Sequence, residues 1–246
     1  MTNGVPALAL VSEELAALGP YFGAAFHAGS ESCEAPWRPF AELVEEPGAM
    51  AERVAGVRGY LAAGSGQDIE KVELRVAASV AHLGLVARVM SPLFGLGVLY
   101  GWRGSVRAGD LRWQPGLAST FPLSINEAVV EGRPDGRITD GRPDGRITDG
   151  VVTELETLMA SFGVNRHILR GNVASALVGA GKALAAARPA LRDRATAELG
   201  VLLARAELAG SVGYAADGSF RRRNCCLIYR AAPNQRGALC GDCALR

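Results

Sequence analysis

Histidine is nearly absent from this 246-residue chain: there are three, at positions 27, 82 and 167, and they are scattered. The sequence has no Gly-x-Ser-x-Gly, no His-Glu-x-x-His and no phosphate-binding Gly-x-x-x-x-Gly-Lys-Ser/Thr, so the usual hydrolytic and nucleotide-hydrolysing constellations are missing. No Gly-x-Gly-x-x-Gly stands between a strand and a helix, which leaves no visible nicotinamide or flavin site. Gly95 and Gly97 lie inside an apolar run with no third glycine in place. The formal net charge is only +1, which argues against a nucleic-acid partner. The longest nearly uncharged apolar run, Val89 to Trp102, falls short of the roughly 20 residues of a spanning helix. It also contains Pro92. The stretch Met1 to Pro6 has no basic region ahead of an apolar one. The expectation is a soluble, cytoplasmic protein without a transmembrane segment.

What the chain does have is a sizeable apolar fraction, 49% against 21% charged, enough for one domain or two closely joined ones. Helical spacing appears at Leu8, Val11, Leu15 and Leu18, and Gly19-Pro20 stops it. The segment Tyr21 to Pro39 is irregular and carries His27 and Cys33, both expected to be ordinary residues of loop or surface. Pro39 to Leu61 predicts two short helices broken at Pro47-Gly48, and Asp68 is a candidate cap. From Ile69, the series Val72, Val76, Val80, Leu83, Val86, Val89 predicts an amphipathic helix that Pro92 ends or kinks. His82 lies on it and reads as structural. Ser105 to Trp113 and Thr120 to Ile125 read as short strands, with Trp102 and Trp113 packing on the core.

Gly132 to Asp140 is repeated residue for residue at Gly141 to Asp149. This polar, turn-rich segment (132–149) reads as a duplicated surface loop, and its carboxylates lack the spacing of a calcium loop. Val151 to Ser161 is a helix. Asn165 caps another, which runs to about Arg188 with Gly171, Ala174, Ala176, Gly179, Ala180 and Gly181 permitting a close neighbour. Leu191 to Leu208 is a third, and Gly210 to Gly218 is a turn-rich hinge. The fold class expected is α+β, mainly α-helical with a small antiparallel sheet. Residues 1–218 form the helical domain, and residues 219–246 a C-terminal cluster-binding segment.

That segment holds four of the five cysteines: Cys225-Cys226, a gap of thirteen residues, then Cys240-Gly241-Asp242-Cys243. The turn residues Pro233 to Gly237 let the chain fold back, so four thiolates can meet. Four thiolates are the usual ligand set of iron–sulfur centres. Structural zinc also takes four cysteines, but as two spaced pairs, and a vicinal pair has no residue between its members. Disulfides suit small secreted domains better than a chain of this length. Arg221, Arg222, Arg223, Arg230 and Arg236 surround the motif. Of these, Arg223 and Arg230 flank the cysteine pair and are the candidate contacts to a centre whose potential positive charge would raise.

Arg222-Arg223-Asn224-Cys225-Cys226 followed by Leu227-Ile228-Tyr229-Arg230 and closed by Leu239-Cys240-Gly241-Asp242-Cys243 resembles the C-terminal signature of the FhuF-type ferric-siderophore reductases. The thirteen-residue gap is longer than that family's usual one, and Pro233 to Gly237 account for the difference. Gly171-Asn172-Val173-Ala174-Ser175-Ala176-Leu177 is similar to a family segment on the helix before the cluster, and Arg75 to Leu99 is similar in pattern. The resemblance implies a [2Fe–2S] cluster on Cys225, Cys226, Cys240 and Cys243. It implies one-electron reduction of a ferric siderophore, of hydroxamate type, with release of Fe(II). The electron would come from an external donor, ferredoxin-like or a flavin reductase. Two other readings stand beside it: an electron carrier that binds no siderophore, and a four-cysteine zinc module for protein contact.

Overall fold

Helix α4 (Leu74–Tyr100) is apolar on every side, and every residue from Arg88 to Val98 is buried, as a helix must be when other elements cover all its faces. The structure is a computed structural model and describes residues 8–116, 118–131 and 149–246; the duplicated loop expected at 132–149 lies outside the described residues except for its last position. Ahead of α4 come α1 (Leu8–Ala16), β1 (Ala25–His27), β2 (Arg38–Pro39), α2 (Glu42–Glu45) and α3 (Pro47–Ser65). After it come β3 (Leu111–Trp113), β4 (Leu123–Asn126), α5 (Glu127–Glu131), α6 (Val151–Ala160), α7 (Arg166–Ala187), α8 (Arg192–Leu203), α9 (Ala206–Ala209), β5 (Val212–Tyr214) and β6 (Phe220–Arg222). The fold is thus α+β, and 58% of the described residues are helical.

Pro92 does not end α4, which continues another two turns to a left-handed Gly101 with φ 75°. The ring removes one backbone bond, and the Ser91 hydroxyl donates back to the Ala87 carbonyl at 2.7 Å in the same turn. By length and composition α4 could cross a membrane, yet 72% of its most apolar window is buried inside this fold. Its most extensive partner among the described residues is α7. The Asn165 side chain caps α7 by accepting from the His167 N–H at 2.8 Å. The small residues of α7 then let other parts come close: a Cβ at Gly181 would stand 3.2 Å from Leu199 of α8 and 3.8 Å from Phe94 of α4.

The main sheet has the order β1-β4-β3-β2, and it is mixed rather than antiparallel. β1 runs parallel to β4 with Phe26 opposite Ile125, whereas β3 pairs antiparallel with both β4 and β2. The parallel pair follows from topology, because helices α2 to α4 lie between its strands and a long crossover is what a parallel pair needs. Arg88 of α4 ties the helix to the sheet. Its buried guanidinium donates to the carbonyls of Phe121, Tyr21 and Gly23 at 2.6, 2.9 and 2.5 Å.

The stretch expected as a hinge, 210–218, is instead the first strand and turn of a hairpin. Val212 pairs with Arg222 and Tyr214 with Phe220. β5 closes the helical body and β6 opens the C-terminal segment. The main apolar core runs from Val11 through Phe220, and a second small cluster of Ala62, Val72, Val76 and Ala231 lies under the C-terminal segment.

Candidate functional site

Strand β6 alternates its faces, so Phe220 and Arg222 are buried while Arg223 is exposed. The chain leaving β6 enters the vicinal pair: Cys225 is half-buried and Cys226 is buried at 2% exposure. Leu227 then adopts a left-handed conformation with φ 70°. That conformation costs a non-glycine residue about 1–2 kcal/mol; here the Leu227 side chain packs on the small cluster of Val72 and Val76. The turn carries the next N–H groups back to the sulfurs. Leu227 N–H donates to Cys225 Sγ at 3.3 Å, and Ile228 N–H donates to Cys226. At the chain's end the same spacing recurs, with Leu245 N–H donating to Cys243 Sγ at 3.4 Å.

The expectation of a strand at Leu227 to Tyr229 gives way to this turn and a 3-10 helix at Ile228–Ala231. The thirteen-residue gap is closed at its neck, where Gly237 N–H donates to the Tyr229 carbonyl at 2.8 Å. A Cβ at Gly237 would stand 2.8 Å from that carbonyl, so only glycine fits. Within the loop, Asn234 and Gln235 take positive φ. The loop is anchored to the α3–α4 connection. Arg230 pairs with Glu73 at 2.5 Å, and Gln67 donates to the Ala231 carbonyl.

The two halves of the motif meet. The Cys226 and Cys240 sulfurs share a hydrogen bond, and Cys225 and Cys240 both feel the charge of Cys226 and Cys243. The thiol of Cys240 donates to Cys226, which draws Cys226 down to about 6 against its burial and pushes Cys240 up. Burial pushes the Cys225 thiol up, with the Leu227 N–H opposing. The sulfurs share one neighbourhood without closing to metal-binding distance: among the described residues no three His, Cys, Asp or Glu side chains form a group set to hold a metal ion. As a donor set, four thiols with main-chain N–H groups aimed at three of them suit a metal–sulfur centre, whose thiolates are stabilised by such donors.

Arg222 faces this neighbourhood. Its positive charge acts on Cys225, Cys226 and Cys240. It is 2% exposed, with Nε donating to the Asn224 carbonyl at 3.1 Å and Nη2 to Asn172 Oδ1 at 2.7 Å and the Ile168 carbonyl at 3.2 Å. Its Nη1 is buried without a partner. Arg223 turns outward along Gly213, and the charge of Arg230 is taken by Glu73. Gly171 makes room for Arg222, since a Cβ there would stand 2.9 Å from Nη2.

Behind Arg222 a buried polar chain reaches α4. Asn172 donates to the Ser79 carbonyl at 2.9 Å and lies 3.2 Å from His82 Nδ1. The Ser79 hydroxyl donates to the Cys226 carbonyl at 2.9 Å. His82 is fully buried and held neutral, its pKa pushed down to about 3 by burial and then by Arg222. Sequence reading placed Asn172 and His82 on their helices without pairing them, because no spacing reveals a contact between α4 and α7. For Arg222 a signal was present: it stands two residues from Phe220 on a strand, and therefore on the same inward face. The two other expected bystanders lie elsewhere in the fold. His27, expected in a loop or at the surface, instead ends β1 and is buried in the main sheet, where it bonds Ser124 Oγ at 2.9 Å, and Cys33 is exposed between β1 and β2.

Compared with known proteins, the chain matches no protein-family model, and no curated protein matches it either.

Proposed function

We propose that the chain is a cytoplasmic one-electron reductase of ferric siderophores, with a [2Fe–2S] cluster held by Cys225, Cys226, Cys240 and Cys243. The observation that carries this reading is the gathering of four thiols around a buried, incompletely paired arginine. The cluster, when bound, supplies one-electron transfer. The protein residues hold and bias it: N–H donors at Leu227, Ile228 and Leu245 stabilise thiolate charge, and Arg222 favours the more reduced, more negative state. Asn172 fixes that guanidinium in place. The substrate is Fe(III) in hard oxygen ligands. One added electron gives Fe(II), which those ligands hold far less tightly, and the iron leaves. In this reading the electron comes from a separate donor, in keeping with a sequence in which no nicotinamide or flavin motif is visible.

The test is anaerobic isolation followed by iron, zinc and acid-labile sulfide analysis. The protein is then reduced with dithionite and titrated with ferric hydroxamates, in the presence of a ferrous chelator. The reading expects a red-brown protein with two irons and two sulfides, and one trapped Fe(II) per reduced centre. Zinc without sulfide would overturn it in favour of an interaction module, and a cluster that no ferric siderophore reoxidises would make the protein a carrier.

A further inference from the structure

Beside the cysteines lies a cavity of about 420 Å³ between α4 and α7, and Cys240 is part of its wall. Leu83 and Ala87 line it from α4, and Ala176 and Ala180 from α7. Its volume and mainly apolar lining are those of a pocket for a small molecule rather than a seat for a protein segment. Two polar groups break that lining. Ser175 is 9% exposed and its hydroxyl has no hydrogen-bond partner, and Arg222, also part of the wall, has a buried Nη1 that is likewise unpaired. A buried hydroxyl left without a partner carries an uncompensated desolvation cost, so a wall that keeps two unpaired donors is suited to a ligand that brings acceptors. The rim charge of Asp242 is taken by Lys182 at 3.6 Å. The α7 wall stays low because its residues are small: at Gly179 a Cβ would meet nothing within 4 Å.

We infer that this pocket receives the ligand shell of the ferric complex. Its methylene segments lie on the apolar wall, and its oxygen acceptors meet Ser175 and Arg222. The ferric ion is thereby placed on the Cys240 side of the centre. The inference rests on the reductase reading and adds to it the substrate's place and the residues that hold it. The redox step it serves is outer-sphere: one electron, furnished by dithionite in the assay, converts Fe(III) to Fe(II), and no bond to the protein forms.

Gallium(III) desferrioxamine B has the shape of the ferric chelate and cannot be reduced, so it reports binding alone. Calorimetric titration of the cluster-loaded protein should show it binding. Gly179→Trp and Ala183→Trp, which fill the cavity from its open side, should weaken that binding at least tenfold while iron content and visible absorption stay at the parental level. Ser175→Val should weaken it severalfold by removing the hydroxyl. Reoxidation of the dithionite-reduced protein by the ferric chelate should slow in the same order. Parental binding and reoxidation in both tryptophan variants would overturn the pocket and leave the reductase reading standing. A parent protein that binds no gallium chelate would also overturn the pocket. A parent that the ferric chelate cannot reoxidise would overturn the reductase reading and the pocket with it.

Discussion

The guanidinium of Arg222 lies 2.7 Å from the amide oxygen of Asn172, enclosed between α7 and the hairpin that leads into the cysteines. This contact links the two parts of the molecule that matter to the site, the long buried helix pair and the C-terminal segment. Replacing Arg222 with Met would leave the buried Asn172 amide oxygen without its donor and take one bond from each of the half-buried carbonyls of Ile168 and Asn224. A loss of about 3 kcal/mol or more in urea unfolding is expected from unpaired groups of this kind. With the centre loaded, Arg222→Met should also lower its midpoint potential, measured by voltammetry. Arg223→Gln should hardly move it, since Arg223 faces outward. Equal shifts in the two variants would show that general surface charge, and not Arg222, sets the potential.

Gly171→Ala tests the same contact from the helix side. The new Cβ would stand 2.9 Å from Arg222 Nη2, and the guanidinium is pinned by Asn172 and the Ile168 carbonyl. Overpacking of this sort destabilises by roughly 1–3 kcal/mol. In an Arg222→Met background the penalty should shrink by at least half, because the clashing group is gone. An unchanged penalty in that background would place the strain elsewhere.

The helices were legible because their signals are local: the Asn165 cap, the break ahead of Pro47, and the apolar run that became α4. The mixed sheet was not. β1 and β2 are three and two residues long, too short to display alternation, and β1 is a strand only because β4 lies beside it. Pro92 predicts an end or a kink of the helix; α4 does not end there, because its tertiary burial outweighs the lost backbone bond. At the site, the cysteines announced themselves by spacing, whereas the turn at Leu227 depends on packing against Val72 and Val76 from a distant segment. Choosing among three consecutive arginines required knowing that Phe220 points inward.

His82 gives the protein a pH dependence of defined sign. In the folded chain its pKa is pushed down to about 3 by burial and Arg222, and in the unfolded chain it returns to about 6.5. Between those values the unfolded state binds more protons, so stability falls as pH drops below 6.5, by up to about 1.4 kcal/mol per pH unit. Above 6.5 this contribution is complete and flat. The groups facing the ring are Asn172 and the charge of Arg222. Urea unfolding at pH 7, 6 and 5 should therefore show a steeper loss in the parent than in His82→Leu. Parallel curves would mean that His82 is protonated in the fold.

The cysteines should divide four against one. Cys33→Ser changes an exposed thiol and should leave iron, sulfide and visible absorption at parental levels. Serine at Cys225, Cys226, Cys240 or Cys243 replaces a thiolate donor by a hydroxyl that stays protonated near neutral pH, so each variant should lose most of its iron and sulfide. The losses should be graded by surroundings. Cys226 and Cys243 are each 2% exposed and receive N–H donors in tight turns, so no water can substitute for their sulfur. Cys225 and Cys240 are half-buried, and serine there leaves space for an oxygen ligand, giving a residual but more oxygen-sensitive centre. Iron and sulfide assays on anaerobically purified variants decide the matter. A Cys33 variant that loses the centre, or any one of the four that keeps it unaltered, would require a different ligand set.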